Sequence, residues 1–275
     1  MKRLSTRILP QVSILCFVLG LSGCGSPADE KPAPGAARQF LKLRGYNFDE
    51  KSFLSAAQTK DVIAVNAFLA AGINPNAKNE ESGATALVSA AGDGDMEIVK
   101  TLLKGGANVN ERDKAGFTAL LRAIQNKQDE VADILLAQEN IDLNSQGSNG
   151  VTVLMSYVAR DRADIVQNLL ARGANVNLQD ADGDTALHGA AQRGNVKILE
   201  MLLTRGANPD AKNKVGGTPL MWAGVYGHEQ AARLLLEKGA NAGLKDEDGM
   251  TAAAWAAKNK RDQMAQLLLE AEKKH

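Results

Sequence analysis

The chain has 275 residues, with 32 Lys and Arg balanced by 32 Asp and Glu and a hydrophobic fraction of 44%. That length can bury a core in one domain or one continuous array, and the balanced charge argues against a nucleic-acid binder, which would carry a basic stripe. The only cysteines are Cys16 and Cys24, both near the N-terminus, so disulfide frameworks and cysteine-held metal sites are excluded for the rest of the chain.

In chain order, Met1-Lys2-Arg3 through Arg7 is a short basic head, and Ile8 to Leu21 is mostly apolar. Such a segment reads as an export signal, too short for a transmembrane span. Leu21-Ser22-Gly23-Cys24 follows and resembles the bacterial lipobox. The resemblance implies cleavage before Cys24, attachment of diacylglycerol to its thiol and acylation of the new amino terminus with a palmitate-type chain. The expected organisation is a signal peptide over 1–23, a lipidated cysteine and tether over 24–37, and an array over 38–275. The tether holds three prolines, small residues and mixed charges that cannot build a core, and it reaches about 40 Å when extended.

From Ala36 to Gly45 the pattern predicts a short capping helix. A degenerate unit follows, with Phe53, Ala56, Ala57, Val65, Phe68 and Leu69 as its apolar positions and Lys51 where later units carry threonine. Six further units open on Thr85, Thr118, Thr152, Thr185, Thr218 and Thr251, at intervals of 33 or 34 residues. A fixed period of this size signals stacked supersecondary units that bury their apolar faces on one another. Each threonine caps a short alanine-rich helix, a tight turn follows, and a second helix carries paired apolar residues such as Ile198, Leu199, Leu202 and Leu203. The second helix ends in Gly-Ala-Asn at 106–108, 173–175, 206–208 and 239–241. Glycine there supplies a left-handed closing conformation. Two units depart from the pattern. Gln138 to Asp142 replaces Gly-Ala-Asn in the third, and in the fourth Tyr157-Val158 replaces the alanine pair while Asp161 replaces the turn glycine. A local bend or pocket and plain sequence drift both fit these changes.

Thr185-Ala186-Leu187-His188-Gly189-Ala190-Ala191, Thr218-Pro219-Leu220 and the Gly-Ala-Asn endings closely resemble the ankyrin repeat family. The resemblance covers about Asn47 to the C-terminus. It implies an all-α repeat solenoid of about seven helix-turn-helix units with β-hairpin tips, and a protein-binding surface made of the tips and the exposed side of the first helices. Positions flanking the alanine pairs face that surface: Arg122, Gln125, Asn126, Arg160, Gln192, Arg193, Trp222, Val225, Tyr226, Trp255 and Lys258. Trp222 and Trp255 occupy the same slot of consecutive repeats. Two roles fit them, a pocket with Tyr226 for an apolar partner side chain, or padding between the last two units.

Nothing in the sequence supports catalysis or a cofactor. His188 fills the family's structural histidine slot, His228 follows an inter-helix glycine, and His275 is the last residue. Asp180 to Asp184 resembles part of a calcium loop, but glycine stands fourth and Ala191 twelfth, where the loop needs glycine sixth and glutamate twelfth. The expectation is therefore a non-enzymatic lipoprotein of the cell envelope that binds another protein and no nucleic acid. It would act as an inhibitor or immunity protein, or as a scaffold or accessory factor for a periplasmic enzyme. A passive spacer is the alternative. Gly25 after Cys24, where aspartate would signal inner-membrane retention, favours the outer membrane of a Gram-negative bacterium, facing the periplasm.

Overall fold

The computed structural model describes residues 33–273, so the leader, Cys24 and most of the expected tether lie outside the described residues. The chain divides into two compact units at Ile141/Asp142. The first holds α1 (Pro34–Leu43), α2 (Glu50–Gln58), α3 (Val62–Ala70), α4 (Ala86–Asp93), α5 (Met96–Lys104), α6 (Ala119–Gln125) and α7 (Asp129–Leu136). The second holds α8 (Val153–Ala159), α9 (Ala163–Ala171), α10 (Ala186–Arg193), α11 (Val196–Thr204), α12 (Pro219–Tyr226), α13 (Glu229–Glu237), α14 (Ala252–Lys258) and α15 (Asp262–Glu272). From α2 onward these are seven helix pairs, and no described helix is long and apolar enough to cross a membrane.

The threonines act as expected at most openings. Thr85, Thr118, Thr152, Thr218 and Thr251 accept hydrogen bonds from the backbone N–H three residues on, at 3.2–3.4 Å. The degenerate first pair is capped differently: Asp49, not the residue at 51, accepts from Ser52 N at 2.7 Å. Helix α1 begins at Pro34, inside the stretch read as tether, because proline at the first turn is preorganised for a helix and loses no bonded N–H.

In each unit, first helices pack on first helices and second on second. In the first unit α4 lies on α6 and α3 on α5; in the second α10 lies on α12, α12 on α14 and α11 on α13. The alanine pairs make the first row possible: Ala90, Ala91, Ala190, Ala191, Ala223 and Ala256 are all buried. Leucine and isoleucine of the second helices fill the space between, with Ile98, Leu102, Leu169, Leu202 and Leu235 fully enclosed. In α8 the substituted Tyr157 is itself buried.

The turn between paired helices demands a left-handed residue every time. It is glycine at Gly94, Gly194 and Gly227, but Lys60, Lys127, Asp161 and Lys260 stand there with φ of 57–59°. A side chain in that region costs about 1–2 kcal/mol. Lys127→Gly should therefore stabilise the first unit by about 0.5 kcal/mol after the extra chain entropy of glycine is subtracted. Urea unfolding of the variant beside wild type measures this.

The loops interlock from repeat to repeat. The last residue of four Asn-x-Asn-like triplets accepts from the backbone N–H of the first asparagine in the next repeat: Asn76 from Asn108 at 2.7 Å, Asn144 from Asn175 at 2.8 Å, Asn177 from Asn208 at 3.0 Å, and Asp210 from Asn241 at 2.8 Å. Asp142 takes the asparagine role at the irregular third ending, accepting from Asn144 N at 2.9 Å. The tips are short turns closed by backbone bonds such as Asp180 N to Asp184 O at 2.9 Å and Gly183 N to Asp180 O at 3.0 Å. Their arms are too short for strands, and among the described residues pairing is limited to isolated antiparallel bridges, Lys78 with Thr85 and Gln146 with Thr152. Neighbouring tips are joined, as by Lys214 N donating to Asp182 O at 2.9 Å.

Candidate protein-binding face

The face is built from the outward positions of the first helices. In the second unit, the helical spacing of Trp222 and Tyr226 stacks the two rings with centroids 6.1 Å apart and planes at 28°. The His228 ring continues the stack from the following turn, 6.2 Å from Tyr226 at 11°. From the preceding repeat, Gln192 Nε2 donates to the Tyr226 hydroxyl at 3.1 Å, and its carbonyl oxygen lies 3.0 Å from His228 Nε2. Gln192 is thereby a bracket holding the stack across two repeats. Tyr226 remains 42% exposed, Trp222 and Val225 are half-buried, and Arg193 is exposed. An amphipathic ring stack left partly wet on a rigid helix row is what a partner side chain can pack against at little entropic cost.

Trp255 is placed differently although it fills the same slot. Its indole N–H donates to Asp246 Oδ2 at 2.6 Å, and the Lys258 ammonium lies 4.5 Å from the ring centroid. Among the described residues no ring pair joins Trp222 and Trp255, so the stack that forms is Trp222, Tyr226 and His228. Arg122 in the first unit repeats the Trp255 arrangement: it donates through Nε at 2.9 Å and a terminal nitrogen at 2.5 Å to Asp113, whose side chain is nearly buried, and lies 4.2 Å over Phe117. Gln125 accepts from Arg122 at 3.0 Å, and Asn126 is turned back onto Gly92 O at 2.8 Å. Arg160 sits 5.9 Å from the Tyr157 ring.

The aspartates that anchor Trp255 and Arg122 are first of all tip residues. Asp246 Oδ1 accepts from the N–H groups of Asp248 and Met250, and Asp113 Oδ1 from those of Ala115 and Phe117. Asp180 does the same for Asp182 and Asp184, so its carboxylate shapes the turn in the stretch that resembles a calcium loop. His228 was not legible as a face residue because its ring joins the stack only through the turn that follows α12.

His188 is structural. Its Nδ1 accepts from Thr185 N at 3.1 Å, which places the proton on Nε2, and Nε2 donates to Gly217 O at 3.1 Å in the next repeat. Burial disfavours the imidazolium and lowers its pKa below 6.5, against the smaller opposing pull of Gly217 O and Asp184. The unfolded chain thus takes up the proton more readily than the folded one, so this contribution is complete above pH 6.5 and is lost as the pH falls through the lowered pKa. The melting temperature should drop between pH 7.5 and 5.5, and His188→Gln should flatten that slope; an unchanged slope would contradict the assignment. The lowered carboxylates, Asp164 at about 2 and Glu111, act only below this window.

A family model described as ankyrin repeats, in three copies, matches residues 53–147, 139–213 and 205–275. The chain belongs to the ankyrin repeat family. No curated protein matches it in sequence. It is similar to the solved ankyrin repeat domain of Bcl-3, a member of the IkappaB protein family, with 26% identity and a TM-score of 0.63 over 79% of this chain and 97% of that one. It is also similar to an ankyrin repeat domain from Acinetobacter baumannii AYE, with 30% identity and a TM-score of 0.60 over 67% of this chain and 96% of that one. Domains of this family generally mediate protein–protein binding, and the fold is typically a non-enzymatic interaction scaffold.

Proposed function

We propose that this protein is an exported, lipid-anchored ankyrin module of the bacterial cell envelope that binds another protein through the first-helix face of its second unit. The observation that carries the binding reading is the Trp222–Tyr226–His228 stack, held by Gln192 and left partly exposed. Arg193, Val225 and the Trp255–Lys258 pair extend it, and Arg122, Gln125, Asn126 and Arg160 are the corresponding positions in earlier repeats. The anchoring reading rests on the basic head, the short apolar run and Leu21-Ser22-Gly23-Cys24. Two acyl signals give stable membrane attachment where one does not. On this reading the array acts by occupancy, as an inhibitor or immunity protein or as a scaffold for an envelope enzyme, on the periplasmic side of the outer membrane.

Fractionation of a Gram-negative host expressing the full chain tests the anchor. Wild type should appear in the outer-membrane fraction with the mass of an acylated Cys24. Cys24→Ser should leave that fraction and lack the lipid mass. An unmodified wild-type chain in the soluble fraction would overturn the anchoring half of the proposal.

A further inference from the structure

The charge of the last three first helices is sorted, although the chain as a whole is balanced. The first helices and following turns at 186–195, 219–228 and 252–261 contain four permanent cations, Arg193, Lys258, Lys260 and Arg261, and no Asp or Glu. In the first unit, 86–95 contains Asp93 and Asp95 and no cation, while 119–128 contains Arg122 and Lys127 and no carboxylate. Two of the tips run the other way, 180–184 with three aspartates and 246–248 with three consecutive carboxylates, while the tip between them, 212–217, carries Lys212 and Lys214 and no carboxylate.

Two of these cations, Arg193 and Arg261, border the ring stack, and Lys258 lies over the Trp255 ring. Arg193 lies between Gln192, which brackets Tyr226, and Gly194, against which the His228 ring packs so closely that a Cβ there would stand 2.5 Å from it. Arg261 lies along Gly227, between Tyr226 and His228, with its Cδ 3.0 Å from where a Cβ would be. All four are exposed, and among the described residues none is in an ion pair. Unneutralised like charges side by side repel one another and destabilise the free protein slightly. An anionic partner relieves that repulsion and gains charge-assisted hydrogen bonds.

We infer that the partner segment recognised by this face is acidic, with an apolar or aromatic side chain seated on Trp222 and Tyr226 and its carboxylates directed to Arg193, Lys258, Lys260 and Arg261. The inference rests on the binding-face reading above and supplies the chemistry of its partner. A peptide fits better than a lipid headgroup or nucleic acid backbone because one short segment can bring both an apolar side chain to the ring stack and carboxylates to the cations beside it. The carboxylates of the tips at 180–184 and 246–248 weigh against an extended anionic surface that would lie across them.

The test is a selection of random dodecapeptides displayed on phage against the full chain in a non-ionic detergent. It runs beside the variants Arg193→Glu/Lys258→Glu/Lys260→Glu/Arg261→Glu and Trp222→Ala/Tyr226→Ala, each checked for helical circular dichroism. The recovered peptides should pair Asp or Glu with an apolar residue, lose affinity as salt rises, and bind the charge-reversed protein more than about tenfold more weakly. Peptides with Lys in place of Asp or Glu should regain binding to the reversed protein. Peptides without acidic enrichment, or unaffected by charge reversal, overturn the inference. If Trp222→Ala/Tyr226→Ala still abolishes their binding, the binding face stands, and if neither variant matters, it falls too. Charge-dependent adsorption to phosphatidylglycerol vesicles or single-stranded DNA without selection of acidic peptides also overturns the inference and reassigns the cations.

Discussion

Phe68→Ala should cost the first unit about 3–5 kcal/mol, the largest single loss expected in this protein. Phe68 is fully enclosed at the point where the N-terminal cap meets the array. Its ring pairs with Tyr46 at 5.7 Å, Phe48 at 6.2 Å and Phe53 at 5.8 Å, so one side chain joins the loop after α1, helix α2 and helix α3. Arg38 covers Phe48 from α1 at 4.2 Å, and Tyr46 and Arg44 both donate to Asp61, which also caps α3. Removing the ring empties a cavity that helix backbone on two sides cannot close. Stacks with nearest-neighbour contacts open from their ends, so the loss should be local. Hydrogen exchange should accelerate over residues 34–70 first, with α5 and α7 still protected. Uniform acceleration would contradict the repeat-by-repeat account.

The second large effect isolates the tips. Gly183 and Gly173 have nearly the same left-handed backbone, φ 82° and 86°. A Cβ on Gly173 would meet nothing within 4 Å, whereas on Gly183 it would stand 2.7 Å from Lys214 N and 3.0 Å from Asn213 Cα. Gly173→Ala therefore costs only the conformational term, about 1 kcal/mol, and Gly183→Ala adds a clash with backbone that cannot swing away, for about 2–4 kcal/mol. Denaturant midpoints of the two variants measure the difference directly. Equal costs would mean that neighbouring tips are not in van der Waals contact. Gly150 faces the same restriction, with Asp180 and Ala181 backbone at 2.8 Å.

The architecture was legible because its causes are local and repeated. Threonine caps, alanine pairs and glycine closures recur at one period, and each acts within a few residues of itself. The cap was harder to read. Asp49 caps α2 by the same kind of hydrogen bond that threonine makes elsewhere, while the rings of Tyr46 and Phe48 pack on Phe68, and packing partners separated by one helix leave no periodic trace. The loop ladder was written in the last residue of the Asn-x-Asn-like triplets, and Gly243 ends it in the last repeat. The sequence pattern placed Trp222 and Trp255 in one slot. Their different surroundings come from the residue nine positions earlier. Asp246 offers Trp255 a free carboxylate oxygen, whereas Asn213 spends its oxygen on Val215 N and Gly217 N and its amide on Asp184. Trp222 is left to stack on Tyr226. The Asp113–Arg122 pair has the same nine-residue spacing, so an aspartate there was the available signal. The cationic row was hidden by the balanced total, because net charge averages over faces that only the fold separates.

Site-specific photo-crosslinking in intact cells shows where a partner protein touches the array. A benzophenone amino acid is placed in the full chain at Arg193 or Val225 on the first-helix face, and at Glu200 or Arg233 on the second helices. The account predicts one protein adduct of constant mass from Arg193 and Val225, absent from Glu200 and Arg233 and lost when Trp222→Ala/Tyr226→Ala is added. Adducts from the second-helix positions alone, or from all four alike, would contradict a binding face on the first helices.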